Sequence, residues 1–295
     1  GLVGSEMCIR DSRGTHQIGG SAIEISTAST RIILDFGNEL SLDEKYTPIN
    51  LDIDGVTKGI LDCDGIVISH YHMDHLGQLT SALPEIPLYM GELSKEVAMI
   101  ATEHQDKDLY LRLLDANTFR GGEAFTIGNI HIRPLVIDHS AVDSYMFVIE
   151  AEGKRVLYTG DFRMHGVRGH VLEKLIRTYI GNVDVLITEG TSLSRNAHDG
   201  ISEREVLDDI SSYIQDGKYV FVMCSSTNID RIMGIWHNMP TDKVLICDAY
   251  QKRILDTVID NVYYNSSLYR RPDSPLVLDI GAVSYTHLRA HETLR

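Results

Sequence analysis

The chain has 295 residues, sets 27 lysines and arginines against 42 aspartates and glutamates for a formal net charge of −15, and is 43% hydrophobic. Such a chain can bury a sizeable core, which excludes a disordered protein, and its negative balance excludes broad, non-specific capture of nucleic acid while leaving a local basic groove open. No apolar run approaches the roughly 20 residues needed to cross a bilayer, so no membrane partner is expected.

Both ends read as translated DNA adapter. Glu6–Asp11 can be encoded GAG ATG TGT ATA AGA GAC, and the reverse complement of that string translates as Val-Ser-Tyr-Thr-His-Leu, the sequence of Val283–Leu288. Residues 1–12 and 283–295 are therefore expected to take no part in the fold, with the native termini lying beyond them. Setting Cys8 aside leaves Cys63, Cys224 and Cys247, an odd number without a CxxC pair. That argues against a disulfide framework, for buried thiols at Cys224 and Cys247, and for a reducing cytoplasm.

Ser21–Ser26 and Arg31–Phe36 predict an opening hairpin, followed by a polar loop from Gly37 to Gly59. Gly65–Ser69 is a short apolar strand, a helix starts near Leu76 and stops before Pro84, Leu88–Met90 is a strand and Glu92–Glu103 a helix. Glu123–Ile127, Asn129–Ile137, Ser144–Glu150 and Lys154–Thr159 form a meander, Val171–Ile180 is helical, and Val183–Thr188 is a buried strand ending at Glu189. From Ser202 helix and strand alternate: helix to Gln215, strand Tyr219–Cys224, helix Ile229–His237, strand Val244–Cys247, helix Gln251–Val262. Alternation implies a parallel sheet, so a second α/β unit is expected to begin near Asn196.

The chemistry concentrates in His70-Tyr-His-Met-Asp-His75. His70 and His72 stand two apart at a strand end, so an extended backbone sends both imidazoles to one side, where they can chelate one metal. Asp74 and His75 follow as the chain turns into a helix and offer oxygen and nitrogen to a second metal.

These residues meet in full the HxHxDH signature of the metallo-β-lactamase superfamily, which the chain resembles along residues 13–195. The resemblance implies a four-layer αββα sandwich with its ligands at strand ends along one edge. It implies that Asp35 supports the ligand loop from behind and that His139 and Asp161 supply the third and fourth metal motifs. One metal would take His70, His72 and His139, the other Asp74 and His75, with Asp161 bridging. Imidazole and carboxylate without thiolate suit two divalent ions, Zn²⁺ first and Mn²⁺ or Fe next.

Asp184–Thr191 resembles the acidic first motif of the β-CASP nuclease branch, with Glu189 as its acid, and the pattern of residues 196–282 resembles part of that branch's inserted α/β cap. The nearest group in this resemblance is the ribonuclease J-like proteins. It implies hydrolysis of single-stranded RNA by a metal-bound hydroxide attacking phosphorus, with Asp74 and Glu189 as catalytic carboxylates. Homo-oligomerisation is left open. Two other readings stand beside it: a small-molecule metallohydrolase cleaving an ester, thioester or lactone, and a non-catalytic RNA-binding β-CASP protein, against which the intact ligand set argues. Ser140 and Asp143 are expected to orient His139, and Arg163 and His165 to approach the site or a phosphate. Arg270 and Arg271 are expected to be a solvated pair.

Overall fold

The computed structural model describes residues 7–40, 49–191, 201–217, 219–261, 263, 266–272 and 278–279; the expected boundary at 195/196 and the 283–295 end lie outside them. The chain divides into two compact units, Gly1–Gly200 and Ile201–Arg295. No helix among the described residues is long and apolar enough to cross a membrane.

The first unit begins with β1 (Cys8–Arg13), β2 (Ala22–Ser26), β3 (Arg31–Leu34), β4 (Gly65–Ile68), α1 (Met73–Leu76), β5 (Leu88–Gly91), α2 (Glu92–Thr102), α3 (Lys107–Leu114) and β6 (Asn117–Phe119). Its strands form one six-stranded sheet in the order β1-β2-β3-β4-β5-β6. The first two pairings are antiparallel and those from β3 to β6 parallel. A strand buried on both faces reads as a continuous apolar run, and every residue of β4, Gly-Ile-Val-Ile, is buried. The meander follows as β7 (Phe125–Ile127), β8 (Ile130–Ile137), β9 (Ser144–Ala151) and β10 (Lys154–Tyr158), then α4 (Leu172–Leu175), which runs into a π turn at Ile176–Ile180, and β11 (Val185–Ile187). These strands form a second sheet, β11-β10-β9-β8-β7, with β11 parallel to β10 and the rest antiparallel.

Side-chain alternation along the strands sets the layers. Ile23, Ile25, Ile32, Leu34 and Val67 of the first sheet pack against Ile132, Tyr145, Phe147 and Ile149 of the second. Residues of opposite parity on the second sheet, Leu135, Ile137, Met146, Val148 and Leu157, pack under Leu172 and Ile180. On the far side of the first sheet α2 packs against β5, β6 and α3, and Ile33, Ile66, Leu93 and Val97 are buried. The result is the expected αββα order.

Three details differ from expectation. Residues 8–12, expected to stay outside the fold, lie in β1 on the edge of the first sheet; the outer edge of β2 offers unpaired N–H and C=O groups that any extended segment can satisfy. The helix expected near Leu76 starts at Met73, with a 3₁₀ turn at Leu79–Ser81. The sequence reading missed α3, whose start is fixed by Asp106 accepting from Leu109 N–H, and β6.

In the second unit α5 (Glu203–Asp216) opens with a capping box between Ser202 and Glu205, followed by α6 (Ile229–His237), β12 (Ile246–Cys247), α7 (Ala249–Asn261) and β13 (Leu278–Asp279). The guanidinium of Arg231 grips the buried Glu203 carboxylate with two bonds of 2.7 and 2.8 Å. β12 and β13 pair in parallel. The expected strand Tyr219–Cys224 forms no ladder among the described residues: Tyr219, Phe221 and Met223 are 78, 74 and 91% exposed. An apolar run becomes a strand only where a neighbour satisfies its backbone. Cys224 and Cys247 are half-buried rather than core thiols, while Arg271 is exposed as expected, meeting Asp256 at 2.7 Å on the surface and lying 5.9 Å from the Trp236 ring centre.

Candidate metal centre

The described strands β3, β4, β8, β10 and β11 are followed closely by Asp35, by His70 and His72, by His139, by Asp161 and by Glu189. The first turn of α1 adds Asp74 and His75. Three backbone features set the loop that carries them. Gly20 and Ser21 N–H both donate to the Asp74 carbonyl at 3.1 Å, Phe36 N–H donates to the His75 carbonyl at 2.7 Å, and Asn38 N–H donates to the Met73 carbonyl at 2.9 Å. Only glycine fits at position 37, because a Cβ there would lie 1.6 Å from the Asp74 carbonyl oxygen.

Two triads share His70, and the donor atoms of each lie within 4.8 Å of one another: His70, His72 and His139, and His70, His75 and Asp161. In the first triad His72 Nδ1 is 3.0 Å from His70 Nε2 and 3.1 Å from His139 Nε2. In the second, His75 Nε2 is 3.3 Å from Asp161 Oδ1, and Asp74 Oδ2 stands beside it at 3.7 Å. Asp161 also reaches toward the first triad, 3.8 Å from His139 Nε2.

The far ring nitrogens are engaged behind the cluster. Ser69 Oγ donates to Asp35 Oδ2 at 2.8 Å and lies 3.0 Å from His70 Nδ1, while His75 Nδ1 lies 2.8 Å from Asp35 Oδ2. A proton on His70 Nδ1 leaves its Nε2 lone pair facing the cluster, the tautomer a metal ligand needs, and Asp35 holds the Nδ1 proton of His75 so that its Nε2 is the atom turned toward Asp161. Tyr71, between the two histidines, takes Val142 N–H on its hydroxyl at 2.8 Å and so ties the His72 loop to the His139 turn.

Electrostatics separate the triads. Burial first, and then the positive charge of neighbouring histidines, holds His70 well below the ordinary histidine range, with His72 down at about 4 and His139 at about 3. His75 goes the other way: burial opposes its charge, but Asp35 and Asp161 together raise it well above that range. Burial raises Asp74, whereas His75 outweighs burial at Asp161 and lowers it. Three neutral imidazole nitrogens within about hydrogen-bond distance repel one another unless a cation or proton sits among them. Nitrogen and carboxylate oxygen without sulfur is a donor set that fits a divalent metal.

The remaining expected residues fall in different places. Asp35, fully buried, stands behind His75 at 2.8 Å. Glu189 is half-buried, its Oε1 takes Phe162 N–H at 2.8 Å, and burial followed by the charge of Asp161 raises its affinity for protons. Asp143 does not act on His139 directly through the bonds seen: its carboxylate accepts from Ser94 N–H at 3.0 Å, in the first turn of α2, and from the Tyr145 hydroxyl. Among the described residues no hydrogen bond joins Ser140 to His139. Arg163 is largely buried, with Nε 2.7 Å from Asp138 Oδ1, so it braces the end of β8 beside His139. His165 is exposed. Sequence reasoning missed Ser69, Tyr71, Gly37, Asp138 and Tyr158, whose partners lie far along the chain.

The two-sheet sandwich gathers four histidines and two aspartates at one place, a donor set that could hold a metal ion. Residues 31–211 match the family described as Beta-lactamase superfamily domain, and the chain belongs to that family. It is 27% identical over 221 residues to an RNase J-like protein of Methanocaldococcus jannaschii, a match covering 71% of this chain and 49% of that protein. It is 24% identical over 281 residues to Endoribonuclease YSH1 of Gibberella zeae, covering 88% of this chain and 32% of that one. A crystal structure of a protein of unknown function from Enterococcus faecalis V583 is similar in fold, with a TM-score of 0.74 at 18% identity over 94% of this chain and 73% of the other. The chain spans about half or less of the length of these curated relatives.

Proposed function

We propose that the chain carries the catalytic site of a two-metal ribonuclease, a phosphodiesterase acting on single-stranded RNA, with Zn²⁺ as the native ion. The observation that supports it best is the pair of triads sharing His70, with Asp161 reaching both. Names such as RNase J-like protein and endoribonuclease among the relatives support RNA as the substrate.

His70, His72 and His139 would hold one ion and His75 with Asp74 the other, Asp161 lying between them. The chemistry such ions would supply is a lowered pKa for water and polarisation of a phosphoryl oxygen. The chain's own part is orientation and proton handling. Ser69 and Asp35 fix the tautomers of His70 and His75. Glu189, held by Phe162 N–H and by Thr191, has the raised proton affinity of a group that can keep a proton at its carboxyl and pass it toward a departing oxygen. The unit Ile201–Arg295 is read as part of a β-CASP-like cap.

The test is cleavage of end-labelled single-stranded RNA by chelator-stripped protein to which Zn²⁺ or Mn²⁺ is restored, run beside DNA and beside ester, thioester and lactone substrates. Metal-dependent RNA cleavage is expected. Turnover of a small ester, thioester or lactone with RNA left intact at every metal loading would replace this reading with a small-molecule hydrolase.

A further inference from the structure

The geometry points to Tyr158 as a positioning residue for the His75 side of the metal centre, acting from the opposite sheet through Asp35. This inference rests on the two-metal reading above. Asp35 directly follows β3, takes a left-handed φ of 56°, and is wholly buried. Its Oδ1 accepts Ser69 N–H at 2.6 Å. Its Oδ2 accepts the Ser69 hydroxyl at 2.8 Å, His75 Nδ1–H at 2.8 Å and the Tyr158 hydroxyl at 2.6 Å. Ser69 and His75 belong with Asp35 to the first sheet and its loops; Tyr158 ends β10 in the second.

The phenol therefore does something the other donors cannot. Donors from one sheet move with that sheet, whereas a donor from the facing sheet fixes the carboxylate relative to Asp161, which follows β10 three residues after Tyr158. Tyr158 thus sets the distance between His75, held through Asp35, and Asp161, held by its own strand; both contribute to one triad. The phenol oxygen is in turn engaged by the Ser21 side chain, and Ser21 N–H supports the Asp74 carbonyl. Removing the hydroxyl leaves the ring in the core and frees the carboxylate to turn, so His75 loses its aim. The first triad has no member bonded to Asp35 except through Ser69.

Tyr145 provides a matched control, since it is buried in the same core cluster and donates its hydroxyl to another buried aspartate, Asp143, which caps α2. The experiment titrates Zn²⁺ into chelator-stripped wild type, Tyr158→Phe and Tyr145→Phe by calorimetry, and follows Co²⁺ absorbance in parallel. Wild type is expected to fill two sites. Tyr158→Phe should keep the tighter histidine site and weaken the other by about 10–100-fold, the effect usual for an outer partner of a metal ligand. Tyr145→Phe should lower the unfolding midpoint and leave both affinities as in wild type. Equal affinities in Tyr158→Phe and wild type, or the same one-sided loss in Tyr145→Phe, would overturn the role given to Tyr158. A wild type that binds a single ion would instead overturn the two-metal reading, and this inference with it.

Discussion

The two triads share a histidine yet are built on opposite electrostatic plans. His70, His72 and His139 are imidazoles disposed to be neutral by burial and by each other. His75 and Asp161 form a charged couple in which buried carboxylates pull protons toward the imidazole. A cation entering the first triad would meet imidazoles disposed to be neutral, whereas one entering the second would compete with the protons that Asp35 and Asp161 draw toward His75. The difference teaches that a dense ligand motif does not make equivalent sites, because what lies behind each imidazole sets its readiness.

The strongest way to break the comparison is His72→Ala, which removes a member of the first triad alone. RNA turnover should fall by more than about 100-fold, the scale on which a single pre-organised electrostatic group contributes. Calorimetry should show the His75 side still binding metal more weakly; unchanged turnover would remove the first triad from the chemistry. Gly37→Ala acts on the other side. Its Cβ would strike the Asp74 carbonyl, so the Asp74–His75 backbone must shift, at a cost of about 1–3 kcal/mol in urea unfolding, with metal affinity lost on the His75 side first.

Acid sharpens the contrast without mutation. An unfolded histidine takes up its proton near 6.5, whereas folded His72 waits until about 4 and folded His139 until about 3. Between these values the unfolded chain binds more protons, so metal-free protein should lose stability as pH falls below 6.5, by up to about 1.4 kcal/mol per unit per histidine. His75, raised when folded, has the opposite sign: its contribution is complete below 6.5 and fades as pH rises through its folded value. Urea titrations in chelator across this range should show the acid slope, and His139→Gln should reduce it. The smallest effect is expected from Asp143→Ala, which removes a side-chain cap from α2; a loss of about 1 kcal/mol in unfolding free energy with both metal affinities retained would keep Asp143 outside the centre.

The part of the site written in one short stretch was legible. His70, His72, Asp74 and His75 declare themselves by spacing at a strand end, because local geometry alone turns them to one side. His139 and Asp161 were found only through family resemblance, since nothing local marks a single histidine or aspartate after a strand. Tyr158, Ser69 and Gly37 were invisible for a related reason: each matters through a partner that the fold, not the sequence, brings near. Arg163, expected to approach the site or a phosphate, pairs with Asp138 at 2.7 Å and from there its charge helps hold the His139 imidazole low, a partnership that no local pattern announces. The central sandwich strands were readable from apolar periodicity, whereas the edge strands β1 and β6 were not. In the second unit the same rule misread Tyr219–Cys224, because periodicity reports a strand's side chains and not whether its backbone has a neighbour.

The donors of the centre follow strands of both sheets and belong to segments distant along the chain. An intermediate with a single sheet holds at most the His70–His75 donors, so metal would bind most tightly to the chain in which both sheets have closed. Free metal concentration then enters the folding equilibrium by mass action, adding about 2.7 kcal/mol at a hundredfold excess over the dissociation constant. The ion that serves chemistry in the finished protein would also lengthen the lifetime of its folded state, and scarcity of metal would appear first as turnover of the polypeptide by proteases.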